Sequence, residues 1–257
     1  MNAPLLRARG LTVAIGGRTV VRDLDLEIAG GERLAILGRN GAGKTTLLHT
    51  LAGLREPASG SVDLCGEALA RLGHRRIAQV RGVLLQQQVD AFPASVLQTA
   101  LIGRHPWLER WAWESAADAR IARDALAAVG LGDFAERDVQ TLSGGERQRL
   151  AVATLLTQQP RLALLDEPLL HLDLNHQIAV LELLSRQMRE TGMALAMVMH
   201  DPGLAARYCE RVLLLHGDGQ VEAGDVEDML TAERLSALYQ HPLRMVEADG
   251  QRCFLPL

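Results

Sequence analysis

The chain is short of several things, and each shortage excludes a class of protein. It has only three cysteines in 257 residues, Cys65, Cys209 and Cys253, set far apart and never as CxxC. That spacing excludes a disulfide framework and a cysteine zinc site, and it fits a reducing compartment. Charge of one sign is not in excess: 27 Lys and Arg against 31 Asp and Glu leave a net charge of −4, so bulk electrostatics predict no nucleic-acid partner. Long hydrophobic runs are missing. The longest, Met193–Met199, is far below the roughly 18 residues of a membrane span. The first ten residues, MNAPLLRARG, hold no apolar segment of the secretory kind, which predicts a chain that is not secreted. No internal repeat or low-complexity tract is visible. With 48% hydrophobic and 23% charged residues, the composition is that of a globular protein with a sizeable core.

Four short apolar runs are present, and none alternates: Arg33–Leu37, Val83–Leu85, Leu162–Leu165 and Ala194–Met199. Unbroken apolar runs of this length suit strands buried on both faces, as in a parallel sheet. Each ends in a polar or special residue: Gly38, Gln86, Asp166 with Glu167, and His200. Ligands of open α/β sheets bind beyond the carboxyl ends of the strands, so these residues are candidates for one functional edge. Residues 88 to 160 have another texture, rich in Ala, Arg and Leu. Glu114–Val129 carries helical spacing and stops before Gly130, which predicts an inserted helical subdomain. Near the C-terminus, Gly217-Asp218-Gly219 and Asp249-Gly250 each separate two strand-like runs and predict hairpins.

Gly38-Arg39-Asn40-Gly41-Ala42-Gly43-Lys44-Thr45 matches GxxxxGK[ST], and Thr46 follows it. It leaves an apolar strand and opens a periodic helix (Leu47, Leu48, Leu51), the setting this phosphate loop requires. Glycines let backbone N–H groups wrap the phosphates, and the helix N-terminus adds unpaired donors and a positive dipole end. Lys44 is expected to reach the β- and γ-phosphates and the Thr45 hydroxyl to ligate Mg²⁺. Asp166, closing an apolar strand, fits the residue that holds Mg²⁺. Glu167 beside it fits the general base that polarises water.

Leu142-Ser143-Gly144-Gly145-Glu146-Arg147-Gln148 resembles the LSGGQ-type signature of ABC transporter ATPases, with Glu146 at the fifth place. Physically, Ser143 and Glu146 also form a capping box that opens a helix running to about Gln159. The resemblance extends over nearly the whole chain. It implies a P-loop NTPase of the α/β class, a RecA-like core with a mixed, mainly parallel sheet, an antiparallel β part and the inserted helices. Residues 1–87 and 161–240 would form the ATP-binding core, about 88–160 the helical subdomain, and 241–257 a hairpin tail. It implies ATP and Mg²⁺ as cofactors, with Thr45, Gln86 and Asp166 about the metal. Gln86 resembles the Q-loop glutamine, although Gln87 and Gln88 follow it directly. Leu172-Asp173 resembles the D-loop and His200 the switch histidine.

In that family the signature of one subunit covers the nucleotide of the other. The resemblance therefore implies a head-to-tail dimer in which Ser143, Gly144, Gly145 and Glu146 act in trans, a membrane permease as partner, and a peripheral place on the cytoplasmic face of the membrane. Asp166–Gln177 (DEPLLHLDLNHQ) resembles the form found in importers of metal chelates, which implies uptake of cobalamin or a ferric siderophore, with haem as a further cargo and a substrate-binding protein as an indirect partner. A non-transport ABC ATPase and an exporter are the alternatives. A P-loop kinase or GTPase is disfavoured by Ser143–Glu146 and His200.

Two departures stand out. Ile15 replaces the usual aromatic residue against adenine, and Leu169-Leu170-His171 replaces a Thr-Ser-Ala-type stretch. The tryptophans, Trp107, Trp111 and Trp113, read as a local core of the helical subdomain, with a permease-binding groove beside the loop after Gln86 as the alternative.

Overall fold

The computed structural model describes residues 3–86, 93–109 and 111–257, so Gln87, Gln88 and the loop after Gln86 lie outside the described residues. In chain order the strands are β1 (Leu6–Ile15), β2 (Arg18–Ile28), β3 (Arg33–Gly38), β4 (Ser59–Leu64), β5 (Glu67–Ala68), β6 (Arg81–Leu84), β7 (Leu162–Asp166), β8 (Ala194–Val198), β9 (Arg211–Leu215), β10 (Val221–Asp225), β11 (Leu243–Ala248) and β12 (Gln251–Pro256). The helices are α1 (Lys44–Leu51), α2 (His74–Val80), α3 (Val96–Leu101), α4 (Ala116–Ala128), α5 (Gly144–Gln158), α6 (Leu174–Thr191), α7 (Pro202–Tyr208), α8 (Val226–Met229) and α9 (Ala232–Tyr239). They group into two compact units.

The first unit comprises Met1–Leu72, Leu164–Asp166 and Ala194–Leu257. Its strands β9, β3 and β8 lie side by side, β3 parallel to both neighbours, with β10 antiparallel on β9. Leu34, Ala35, Ile36 and Leu37 are all fully buried, as are Ala196 and Val198. Strands covered on both faces must be apolar throughout, which is why these runs do not alternate. The parallel pairing of β3 with β8 brings Gly38 and His200 to the same edge. A second sheet of this unit is antiparallel, in the order β2-β1-β4-β5. Its strand β1 alternates buried and more exposed positions along most of its length, as one covered face demands. The two C-terminal hairpins, β9–β10 and β11–β12, form where the glycine turns predict them.

The second unit comprises Gly73–Ala163 and Glu167–Met193. It holds α2, β6, α3, α4, α5 and α6. Side chains cap the starts of α3, α4, α5 and α6. Ser95 with Gln98, Ser115 with Asp118 and Ser143 with Glu146 each make a complete capping box. At its other end α5 stops at Gln159, which turns left-handed just before Pro160. Leu97, Ala100, Ala122, Leu126, Leu150 and Leu155 are among its buried core residues.

The expectation that the tryptophans form a local core is corrected by the structure. Trp111 and Trp113 are 88% and 89% exposed, in an irregular segment between Trp107 and α4. Trp107 is 40% exposed and donates from Nε1 to the Gln158 carbonyl at 2.8 Å. Closely packed Ala and Leu on α3, α4 and α5 already fill that interior. The backbone at Trp111 is left-handed, with φ +72°.

Candidate functional site

The first unit builds a phosphate loop between β3 and α1. Lys44 is the first residue of α1 and is buried; its Nζ donates to the Gly38 carbonyl at 2.7 Å and the Arg39 carbonyl at 3.1 Å. Asn40 and Gly41 are exposed at the loop's outer bend, Ala42 is buried, and Thr46 is half-buried on the first turn of α1. The glycines are there for space as well as for turning. A Cβ on Gly38 would stand 2.6 Å from the Leu215 carbonyl oxygen. Gly43 has φ +100°, and a Cβ there would stand 2.7 Å from Val20. Gly43 also makes no side-chain cap, so the amides of the first turn of α1 meet no side-chain acceptor from the cap position. A helix start of this kind suits an anion, and a cation is folded into it.

Thr45 donates from Oγ1 to Asp166 Oδ1 at 3.2 Å, and Asp166 is fully buried at the end of β7. A hydroxyl and a carboxylate are the hard oxygen donors that Mg²⁺ takes from a protein when phosphate oxygens and water complete its octahedron. Among the described residues no group of three His, Cys, Asp or Glu could hold a metal ion by itself. The donor set thus fits Mg²⁺ carried with a nucleotide. His200 follows β8 and is exposed; the next residue, Asp201, caps α7 by accepting from the Gly203 and Leu204 amides at 2.7 and 3.1 Å. Ile15 ends β1 opposite Arg18, 40% exposed.

The second unit carries the other candidates. Gln86 donates from Nε2 to Glu167 Oε2 at 3.0 Å, so two residues far apart in sequence share one hydrogen bond. Glu167 has φ +51°, a conformation that costs energy for a residue with a Cβ and that clusters at functional positions. Gln148, on α5, was not singled out from the sequence. Its buried amide donates to the Glu167 carbonyl at 3.3 Å and the Pro168 carbonyl at 2.9 Å, gripping the backbone that carries Glu167. Its place in the motif beginning at Leu142 was the available signal.

Ser143 and Glu146 cap α5 reciprocally: the Ser143 amide donates to Glu146 Oε2 at 2.7 Å, and the Glu146 amide to Ser143 Oγ at 3.3 Å. The Ser143 hydrogen bonds, aided by Arg137 and Arg149, hold the Glu146 carboxyl below its ordinary pKa. Gly144 and Gly145 lie against His171; a Cβ on Gly145 would stand 3.2 Å from the His171 carbonyl. So the unusual Leu169-Leu170-His171 stretch packs beneath the start of α5. Asp173 caps α6, accepting from the His176 amide at 2.9 Å and contacting its Nδ1 at 2.8 Å. Those bonds keep its carboxyl below the usual range.

The ABC transporter family model matches residues 21–170. Relatives match over most of the chain. The hemin import ATP-binding protein HmuV of Gloeobacter violaceus is 42% identical, covering 89% of this chain and 85% of its own length. The ferric enterobactin transport ATP-binding protein FepC of Escherichia coli is 39% identical, covering 91% of this chain and 86% of its own. A solved structure described as an inward-facing, metal-chelate type ABC transporter superposes with a TM-score of 0.86 at 28% identity, covering 99% of this chain and 98% of that one. The buried lysine of the phosphate loop, the Thr45–Asp166 pair and these matches agree: the chain belongs to the ABC transporter family of ATP-binding proteins, and it is an ATPase.

Proposed function

We propose that this chain is the energising subunit of an importer for a metal chelate, with haem or a ferric siderophore as cargo. The observation that carries the proposal is the near full-length similarity to relatives named for hemin and ferric enterobactin transport. Those names weight the cargo toward iron chelates and leave cobalamin a weaker candidate.

The chemistry follows from the residues. The amides of Gly38–Thr45 and the Lys44 ammonium hold the β- and γ-phosphates of ATP. Mg²⁺, held by Asp166, Thr45 and Gln86, would neutralise charge as the γ-phosphoryl departs. Glu167 orients the attacking water and accepts its proton; Gln86 and Gln148 fix its side chain and its backbone respectively. His200 donates to the γ-phosphate. Ser143, Gly144, Gly145 and Glu146 meet the nucleotide of a second copy, because a helix start with two adjacent glycines offers a second anion site. Two copies arranged head to tail then share two ATP sites. Closing that dimer drives a permease, at the cytoplasmic face of the membrane. No helix among the described residues is long and apolar enough to cross a membrane.

The test is reconstitution with the neighbouring permease. A binding protein loaded with haem or ferric siderophore should stimulate ATP hydrolysis several-fold over the unloaded protein. Equal rates with and without each iron chelate would reject the cargo assignment.

A further inference from the structure

The phosphate loop has a contact that the mechanism above does not use. Arg39, exposed on the loop, donates from Nη1 to Gln240 Oε1 at 2.5 Å. Gln240 is the left-handed C-cap of α9, with φ +55°. Tyr239 is largely buried; burial and then the charge of Asp201 push its phenol up to about 12, and Asp201 directly follows His200. The chain beyond Gln240 is tied down as well. The Leu243 amide donates to Ser236 Oγ at 2.8 Å, and β12 returns so that the Arg252 carbonyl lies 3.4 Å from where a Cβ on Gly203 would be, in the first turn of α7. One C-terminal segment therefore touches the phosphate loop at Arg39 and, through Arg252, the first turn of α7.

We propose that Gln240 is a positioning residue for nucleotide binding, and that the α9 end braces the phosphate loop through Arg39. The physical reason lies in the Arg39 backbone. Its carbonyl accepts from both Lys44 Nζ and the Ala42 amide, at 3.1 Å each, so the peptide that orders the loop belongs to the residue whose side chain Gln240 holds. Freeing that side chain restores motion to the loop and weakens its grip on the phosphates. Gln240 does not touch ATP, so its loss acts through Arg39.

The experiment measures the Kd of Mg·ATP, KM, kcat and Tm for the full chain and for Gln240→Ala, Gln240→Glu and Gln240→Lys. The inference rests on the ATP site proposed above, and the unaltered protein is the control: if it fails to bind ATP, that site fails, whatever Gln240 does. With binding established, Gln240→Ala should raise Kd and KM roughly threefold to tenfold, the range for losing one hydrogen bond to a charged group near the surface, with kcat and Tm held. Gln240→Lys should raise them further by repelling Arg39. Gln240→Glu should keep them at or below the starting values. Unchanged or lower Kd in Gln240→Ala, or a rise in Gln240→Glu equal to that in Gln240→Ala, would overturn the brace.

Discussion

Ser143 does two jobs on the reading above, and they can be separated. It caps α5, and it would meet the phosphate of a second copy. The geometry sets the size of the first. The bond from the Glu146 amide to Ser143 Oγ is long, 3.3 Å, whereas the reciprocal bond from the Ser143 amide to Glu146 Oε2 is short, 2.7 Å. Ser143→Ala deletes only the weaker bond, so its cost lies in the lower half of the range for caps, about 0.5–1 kcal/mol. For a chain of this size that is a fall in Tm of about 1–4 °C. Losing a donor to a transferring phosphoryl group is far more severe, about a hundredfold in rate. Ser143→Ala should therefore remain folded and nearly as stable while losing almost all ATPase activity. Ser143→Asp sharpens the contrast. Aspartate caps as well as serine and suits the positive helix end, so Tm should recover or rise. Yet it puts a carboxylate where a phosphate should sit, and activity should stay lost. Thermal unfolding and steady-state phosphate release on the same samples decide the matter. If Ser143→Asp restores both, the residue is a cap alone and the shared-site dimer loses its main support.

Three further outcomes follow from the structure. Glu167→Gln keeps a hydrogen-bonding group beside Gln86 but removes the base, so it should bind ATP, form a stable dimer by size-exclusion chromatography and turn over at least a hundredfold more slowly; undiminished turnover would refute the role given to Glu167. Gly43→Ala should lower stability by about 2–5 kcal/mol, combining the cost of a left-handed non-glycine residue with overpacking against Val20, and should abolish ATP binding; a Tm within 1 °C of the parent would contradict the packing. Asp118 is held down to about 2 by hydrogen bonds from the Ser115 hydroxyl and amide and then by Arg104. A depressed carboxyl stabilises the fold above its unfolded pKa and stops doing so as pH falls through the folded one, so the Tm advantage over Asp118→Asn should be full above about pH 4 and fade toward pH 2. A pH-independent difference would show that the pairing is not what Asp118 contributes.

Much of this site was legible before any coordinates. The phosphate loop reads directly because glycine is demanded at fixed spacing, and at Gly38 and Gly43 the neighbouring Leu215 and Val20 leave no room for a Cβ. Strands buried on both faces must be apolar, so β3, β7 and β8 declared themselves, each run within a residue or two of its observed end. The capping box at Ser143 was readable for the same local reason. The antiparallel strands β1 and β2 were not read from their residues. Their alternation is broken by register shifts, and half of each strand faces outward. The tryptophans misled because a scarce, large apolar residue usually marks a core; here smaller side chains had already filled it.

The amino-acid order by itself determined the chemistry available: a glycine loop with one lysine, carboxylates after an apolar run, and a serine-glycine helix start. These are contacts between near neighbours in the chain, and local sterics and hydrogen bonding dictate them. Only the tertiary structure decided which distant groups meet. Gln86 on Glu167, Gln148 on the Glu167 backbone and Gln240 on Arg39 all join residues whose separation in sequence carries no signal. Such pairs form because folding brings strand ends and helix ends together, and no propensity or spacing rule encodes which side chains arrive there.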